Sequence, residues 1–150
     1  MKALRKLFLI SSAVLGVVAL SASSKPDFTG TWKLNVEKSD LGGAPITELV
    51  AQIQYKDPEF KYTAKAAVGG QAFEETETFR TDGKPSQDSR GGSMTAHWDG
   101  MALVVEVTAP DGSPGYTSRM TLSEDGKTAT RDYLPKGEQD QPRHEVYDKQ

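Results

Sequence analysis

After the first two dozen residues, apolar positions recur at every second residue in short runs, and turns, most of them glycine-bearing, separate the runs. That is the period of strands with one dry face and one wet face. No stretch beyond Ser23 keeps helical spacing for three turns. The pattern predicts strands near 28–36, 46–55, 60–68, 71–80, 93–98, 101–109, 116–123, 128–134 and 143–148. Asp57-Pro58, Gly69-Gly70, Asp82-Gly83, Asp99-Gly100, Asp111-Gly112 and Asp125-Gly126 supply the turns between them. Strands joined by such short connections are antiparallel neighbours.

One hairpin tests its own register. If Asp99-Gly100 is a two-residue turn, Trp98 faces Met101, and Met94, Ala96, Leu103, Val105 and Val107 share their side of the sheet. The other face, Ser93, Thr95, His97, Ala102, Val104, Glu106 and Thr108, is mostly polar. The same parity turns Leu49, Ala51 and Ile53 inward on the second strand, and Phe60, Tyr62, Ala64, Ala66 and Val68 on the third. It turns Tyr116, Ser118, Met120 and Leu122 inward on the seventh. Nearest-neighbour turns favour an all-β, antiparallel up-and-down barrel of eight or nine strands over a sandwich, which needs longer crossings. At about eight strands the interior is filled by side chains or holds one small ligand.

The segment before the strands has a different character. Lys2, Arg5 and Lys6 precede an apolar run from Leu7 to Leu20 that ends in Ser21, Ala22 and Ser23. This is the pattern of a secretory signal peptide, with cleavage expected near Ser23. The run is shorter than the roughly 18 to 20 residues that span a bilayer, so no stable membrane insertion is expected. Residues 24–150 then form one domain in the periplasm or outside the cell. The segment carries three of the 18 basic and none of the 21 acidic side chains, which leaves that domain at a charge of −6. An acidic surface with interspersed lysines is a poor match for nucleic acid. There is no cysteine, so the core alone must hold the fold.

The first strand reads Phe28-Thr29-Gly30-Thr31-Trp32-Lys33-Leu34-Asn35, and this resembles the F-x-G-x-W opening of the lipocalin and fatty-acid-binding families, the calycin barrels. The mature chain also looks like a group of exported bacterial lipocalin-like proteins, through Gly30-Thr31-Trp32-Lys33-Leu34-Asn35, Lys38-Ser39-Asp40, Thr81-Asp82-Gly83-Lys84, Arg90-Gly91-Gly92, Trp98-Asp99-Gly100 and Leu122-Ser123-Glu124-Asp125-Gly126-Lys127-Thr128. That group brings no established activity. The chain departs from typical lipocalins in lacking a disulfide and a readable C-terminal helix. The resemblance implies that Trp32 plugs one end of the barrel, that Gly30 lets the crossing chain come close, and that a basic side chain stacks on the tryptophan. Inward parity of Ala129, Arg131 and Tyr133 makes Arg131 the expected partner.

For chemistry, the interior offers Tyr62, Leu103, Tyr116, Met120 and Arg131 as ligand-facing residues. A small hydrophobic or amphipathic ligand is the expected partner. Phe73, Glu75, Glu77 and Phe79 alternate on one face, so two carboxylates point inward, as an acid and base pair acting on carbohydrate would. His97 is expected outward, whereas His144 has no settled face because Val146 and Tyr147 both compete for the core. A haem ligand would have to be His144. No nucleophile elbow or phosphate loop is readable, and neither a metal nor a cofactor is expected. The sequence therefore supports a non-enzymatic binder first, with a filled interaction or inhibitor module, a glycosidase using Glu75 and Glu77, and a haem binder as rivals.

Overall fold

The computed structural model describes residues 24–137 and 141–150. The expected signal segment, 1–23, lies outside the described residues. One antiparallel sheet contains ten strands: β1 (Gly30–Leu34), β2 (Ile46–Lys56), β3 (Glu59–Val68), β4 (Gln71–Arg80), β5 (Ser86–Gln87), β6 (Ser93–Asp99), β7 (Ala102–Thr108), β8 (Pro114–Leu122), β9 (Thr128–Pro135) and β10 (Arg143–Lys149). Their order is β4-β3-β2-β1-β10-β9-β8-β7-β6-β5. β1 therefore pairs on one side with β2 and on the other with β10, so the meander wraps round on itself into a nearly closed barrel. β4 lies beside β5 and β6 without a shared ladder, which leaves one seam.

The count exceeds the eight or nine strands expected because of β5. Its two residues pair with Met94 and Ser93, and two residues cannot display a period. β1 is also shorter than expected. Phe28 precedes it, and after it Asn35 accepts the Lys38 N–H at 3.1 Å, turning Val36–Lys38 into a single 3₁₀ turn.

The hairpin at the base closes differently from the expected turn. Asp99 pairs with Ala102 and Trp98 with Leu103, so Gly100 and Met101 form the turn and Met101 is exposed. The register has moved by two residues. A slip of one would have exchanged the faces, whereas a slip of two preserves them. Met94, Ala96, Leu103, Val105 and Val107 are accordingly buried together. The inward sets on β2 and β3 also stand: Leu49, Ala51, Ile53, Phe60 and Ala64 belong to the same core. His97 is exposed on the outer face.

The seam is fastened by side chains and a tight loop. Glu77 accepts hydrogen bonds from the Ser89 backbone N–H and from its hydroxyl, and Arg90 lies 3.7 Å from Glu75. Asp88 Oδ1 in turn accepts from the N–H groups of Arg90 and Gly92, at 3.1 and 2.5 Å. A Cβ on Gly92 would stand 2.3 Å from the carbonyl oxygen of Thr108. Only glycine allows the loop to return that close to β7.

Candidate ligand-binding site

The base of the barrel is closed by rings. Trp32 and Phe28 are almost fully buried, and the indole N–H of Trp32 donates to the Phe28 carbonyl at 2.8 Å, so the chain entering β1 is pinned across the opening. Phe28 meets Phe60 edge-on and stacks on Trp98, each at 6.3 Å between centroids, and Phe60 stacks on Phe79 at 4.8 Å. Outside this layer, Lys25 donates to the Gly100 carbonyl at 3.2 Å and lies over Trp98.

The cation over Trp32 is Lys149, with Nζ 5.2 Å from the ring centroid, rather than the expected Arg131. Register explains the correction. Lys149 is the direct cross-strand partner of Trp32 and so shares its face, whereas Arg131 pairs with Met120 and Glu145 farther up the barrel. Gly30 has φ +143°, and a Cβ there would come within 2.7 Å of Lys149 Cε. The glycine is the gap through which the lysine reaches the ring.

Above the plug the interior is open. A deep chamber of about 70 Å³ has an apolar lining that includes Trp32, Ile53, Phe60, Phe79, Met94 and Met120. A larger chamber of about 300 Å³ opens toward the mouth. The two share Tyr62, Glu75, Glu77, Tyr116 and Arg131, which form a waist between them. The mouth chamber has one apolar wall from β2, β3 and β4, with Ile46, Leu49, Ala66, Val68 and Phe73, and one charged wall from β9 and β10, with Arg131, Arg143 and Glu145. Of the expected ligand-facing residues, Tyr62, Tyr116, Met120 and Arg131 line this space. Leu103 does not. It is fully buried beside the base, between its register partners Trp98 and Met120, and belongs to the core.

The charged wall is organised by Glu145. Its Oε2 accepts from the Tyr147 hydroxyl at 2.7 Å and from Arg131 Nη1 at 3.3 Å, while Oε1 accepts from Arg143 Nε at 3.1 Å. The carboxylate is buried, and both guanidiniums are largely withdrawn from solvent. Tyr133 lies in range of both, with Arg143 at 3.8 Å and Arg131 at 5.5 Å from its ring centroid, and Tyr116 packs against it at 4.8 Å. Burial by itself disfavours the charge on Arg131, but Glu145 foremost, followed by the surrounding tyrosines, raises its pKa above the ordinary value. Removal from water pushes the Tyr62 phenol up to about 12 and raises Tyr116 and Tyr147 in the same direction, so these hydroxyls keep their protons.

Sequence reasoning left out Arg143, Glu145 and Tyr147. The signal was the alternation of the three on one strand face, which was not resolved because Val146 and Tyr147 are both apolar enough for the core. In the fold both are buried. Tyr147 lines the interior, while Val146 donates its N–H to the Ser39 hydroxyl on the other side of the strand at 2.9 Å. His144 therefore lies on the outer face, exposed, with Nδ1 2.6 Å from Asp132 Oδ1, and cannot ligate a haem inside the barrel. Among the described residues no three His, Cys, Asp or Glu side chains are grouped to hold a metal. Glu75 and Glu77 do face inward, but each is engaged by the loop across the seam.

These features define an all-β, antiparallel calycin-type barrel with a plugged base and an open interior. Neither a protein-family model nor a curated protein matches the chain by sequence. Solved structures do match in fold. A mutant of the fluorescent protein UnaG superposes with a TM-score of 0.59 at 20% identity, over 82% of this chain and 96% of that one. The fatty-acid-binding protein isolated from Manduca sexta gives 0.51 at 14% identity, over 81% and 99%. Secretory abundant heat soluble protein 4 from Ramazzottius varieornatus gives 0.51 at 14% identity, over 82% and 94%.

Proposed function

We propose that this chain is an exported, lipocalin-like carrier of a small, partly apolar molecule, which it holds inside the barrel without chemical change. The observation that carries the reading is the two-chamber interior, apolar below, with two phenol hydroxyls, two carboxylates and a guanidinium gathered at the waist. Binding sites have this composition, a mostly apolar lining with a few polar groups that fix orientation. A volume of about 300 Å³ stands at the lower end of the range for small-molecule sites. That one structure sharing the fold is named for binding fatty acids supports a hydrophobic ligand in general terms. Export rests on the basic and apolar pattern of residues 1–23.

The test is native mass spectrometry of the protein purified from the compartment it reaches, followed by organic extraction. A small molecule should co-purify with the wild type and be missing from Ala66→Phe, whose new ring would occupy the mouth chamber. A cavity found empty in both, in protein that also fails to bind any apolar probe, would overturn the reading.

A further inference from the structure

The charges around the cavity say what kind of polar end its ligand carries. Three arginines, Arg90, Arg131 and Arg143, line the mouth chamber together with four carboxylates, Glu75, Glu77, Asp88 and Glu145. The carboxylates are therefore in excess by one. Arg131 and Arg143 already share Glu145 as a buried counterion, and Arg90 lies against Glu75. A ligand carboxylate entering this chamber would add a second uncompensated negative charge beside those already lining it, and in a partly desolvated cavity like charges repel more than they do in bulk water.

What the waist does offer is unused hydrogen-bonding capacity. Among the described residues, the hydroxyls of Tyr62 and Tyr116 bond to no other protein group, and Arg131 spends one N–H on Glu145. A guanidinium has five N–H donors, and a phenol both donates and accepts. We propose that the ligand's polar end is an uncharged oxygen, a hydroxyl or a carbonyl, seated at the waist between the Arg131 guanidinium and the hydroxyls of Tyr62 and Tyr116. This rests on the reading of the barrel as a carrier. The alkyl portion then extends into the deep chamber or along the β2–β4 wall, and ligands ending in a carboxylate are discriminated against.

The experiment is isothermal titration calorimetry of the purified protein at pH 7.5 with three ten-carbon probes: decan-1-ol, decanoate and decylammonium. Decanol should bind tightest, and decanoate about tenfold or more weaker, a difference typical of one unfavourable charge contact. Glu145→Gln keeps the shape and removes one negative charge, so it should narrow the gap between decanol and decanoate. Glu75→Gln, at a partly exposed site, should narrow it in the same direction if the buried variant fails to fold. Decanoate binding as tightly as decanol would overturn the proposal while leaving the carrier reading intact, and so would tightest binding by decylammonium. If none of the three binds to folded protein, the carrier reading itself falls.

Discussion

The two ends of the barrel solve the same problem in opposite ways. At the base, Phe28, Trp32, Phe60, Phe79 and Trp98 fill the space between strands with rings, and the chain leading into β1 crosses the opening. At the mouth, small residues, Ala64, Ala66 and Gly115 on the strands and Ala109 just after β7, leave space, and the bulk that remains is divided between an apolar wall and a charged one. Apolar packing can close an end completely. Paired charge cannot, because guanidiniums and carboxylates keep their hydrogen bonds only in fixed positions that leave room between them. The cavity thus follows from residue choice along strands of the same kind and does not need a special fold.

Large apolar truncations should separate the two ends most sharply. Trp32→Ala removes a buried ring and its hydrogen bond, and should destabilise the protein by about 3 to 5 kcal/mol in urea unfolding. Phe73→Ala, at a ring 46% exposed on the mouth wall, should cost under about 1 kcal/mol. Equal costs would break the contrast between a filled base and an open mouth.

The mouth has one structural element of its own. Glu145→Ala would leave Arg131 and Arg143 buried without their common counterion, and a loss of about 3 kcal/mol or more is expected. Glu145→Gln keeps the side-chain shape and one acceptor oxygen, while the other position becomes an amide donor, so its cost should be smaller than that of the alanine variant. If the two variants unfold at the same urea concentration, the charge that both have lost accounts for the whole effect, and the side-chain shape and hydrogen bonding that glutamine keeps contribute nothing.

Alkaline pH probes the waist. Tyr62 in the folded protein has its pKa pushed up to about 12 by removal from water, against 10.0 when exposed. The unfolded chain therefore releases that proton first as pH rises. Stability from this residue is fully present below pH 10 and is lost as pH climbs through 12, by about 3 kcal/mol in all. Unfolding measured between pH 9 and 12 should show that decline, and Tyr62→Phe should flatten it. A Tyr62→Phe profile as steep as the wild type would mean that Tyr116 and Tyr147 carry the effect.

Faces were legible in the sequence wherever apolar residues alternated cleanly, as on β2, β3, β6 and β7. They survived even where the turn at Gly100-Met101 was misplaced, because the error in register was even. Three features were not legible. β5 is too short to have a period. The inward face of β10 was hidden because its most buried residue is Glu145, and parity arguments count apolar side chains. The loop 88–92 gave no pattern, so Glu75 and Glu77 could be placed inward but not tied to Ser89 and Arg90. Buried charge and short irregular segments obey specific geometry, and composition along one strand does not contain it.

The smallest expected effect concerns how the base is finished. Lys149 lies over the outer side of the Trp32 plug, and Lys149→Ala should cost about 0.5 to 1 kcal/mol, the usual worth of an exposed cation over an indole. Gly30→Ala has two separate costs: a side chain at φ +143° strains the backbone, and its Cβ would push against the lysine stem at 2.7 Å. Only the second depends on Lys149. In the double variant the cost of Gly30→Ala should therefore fall, giving a coupling of about 0.5 kcal/mol between the two positions in a double-mutant cycle. Strict additivity would show that Gly30 serves the backbone turn alone, and that the lysine simply moves aside when a methyl group takes the gap.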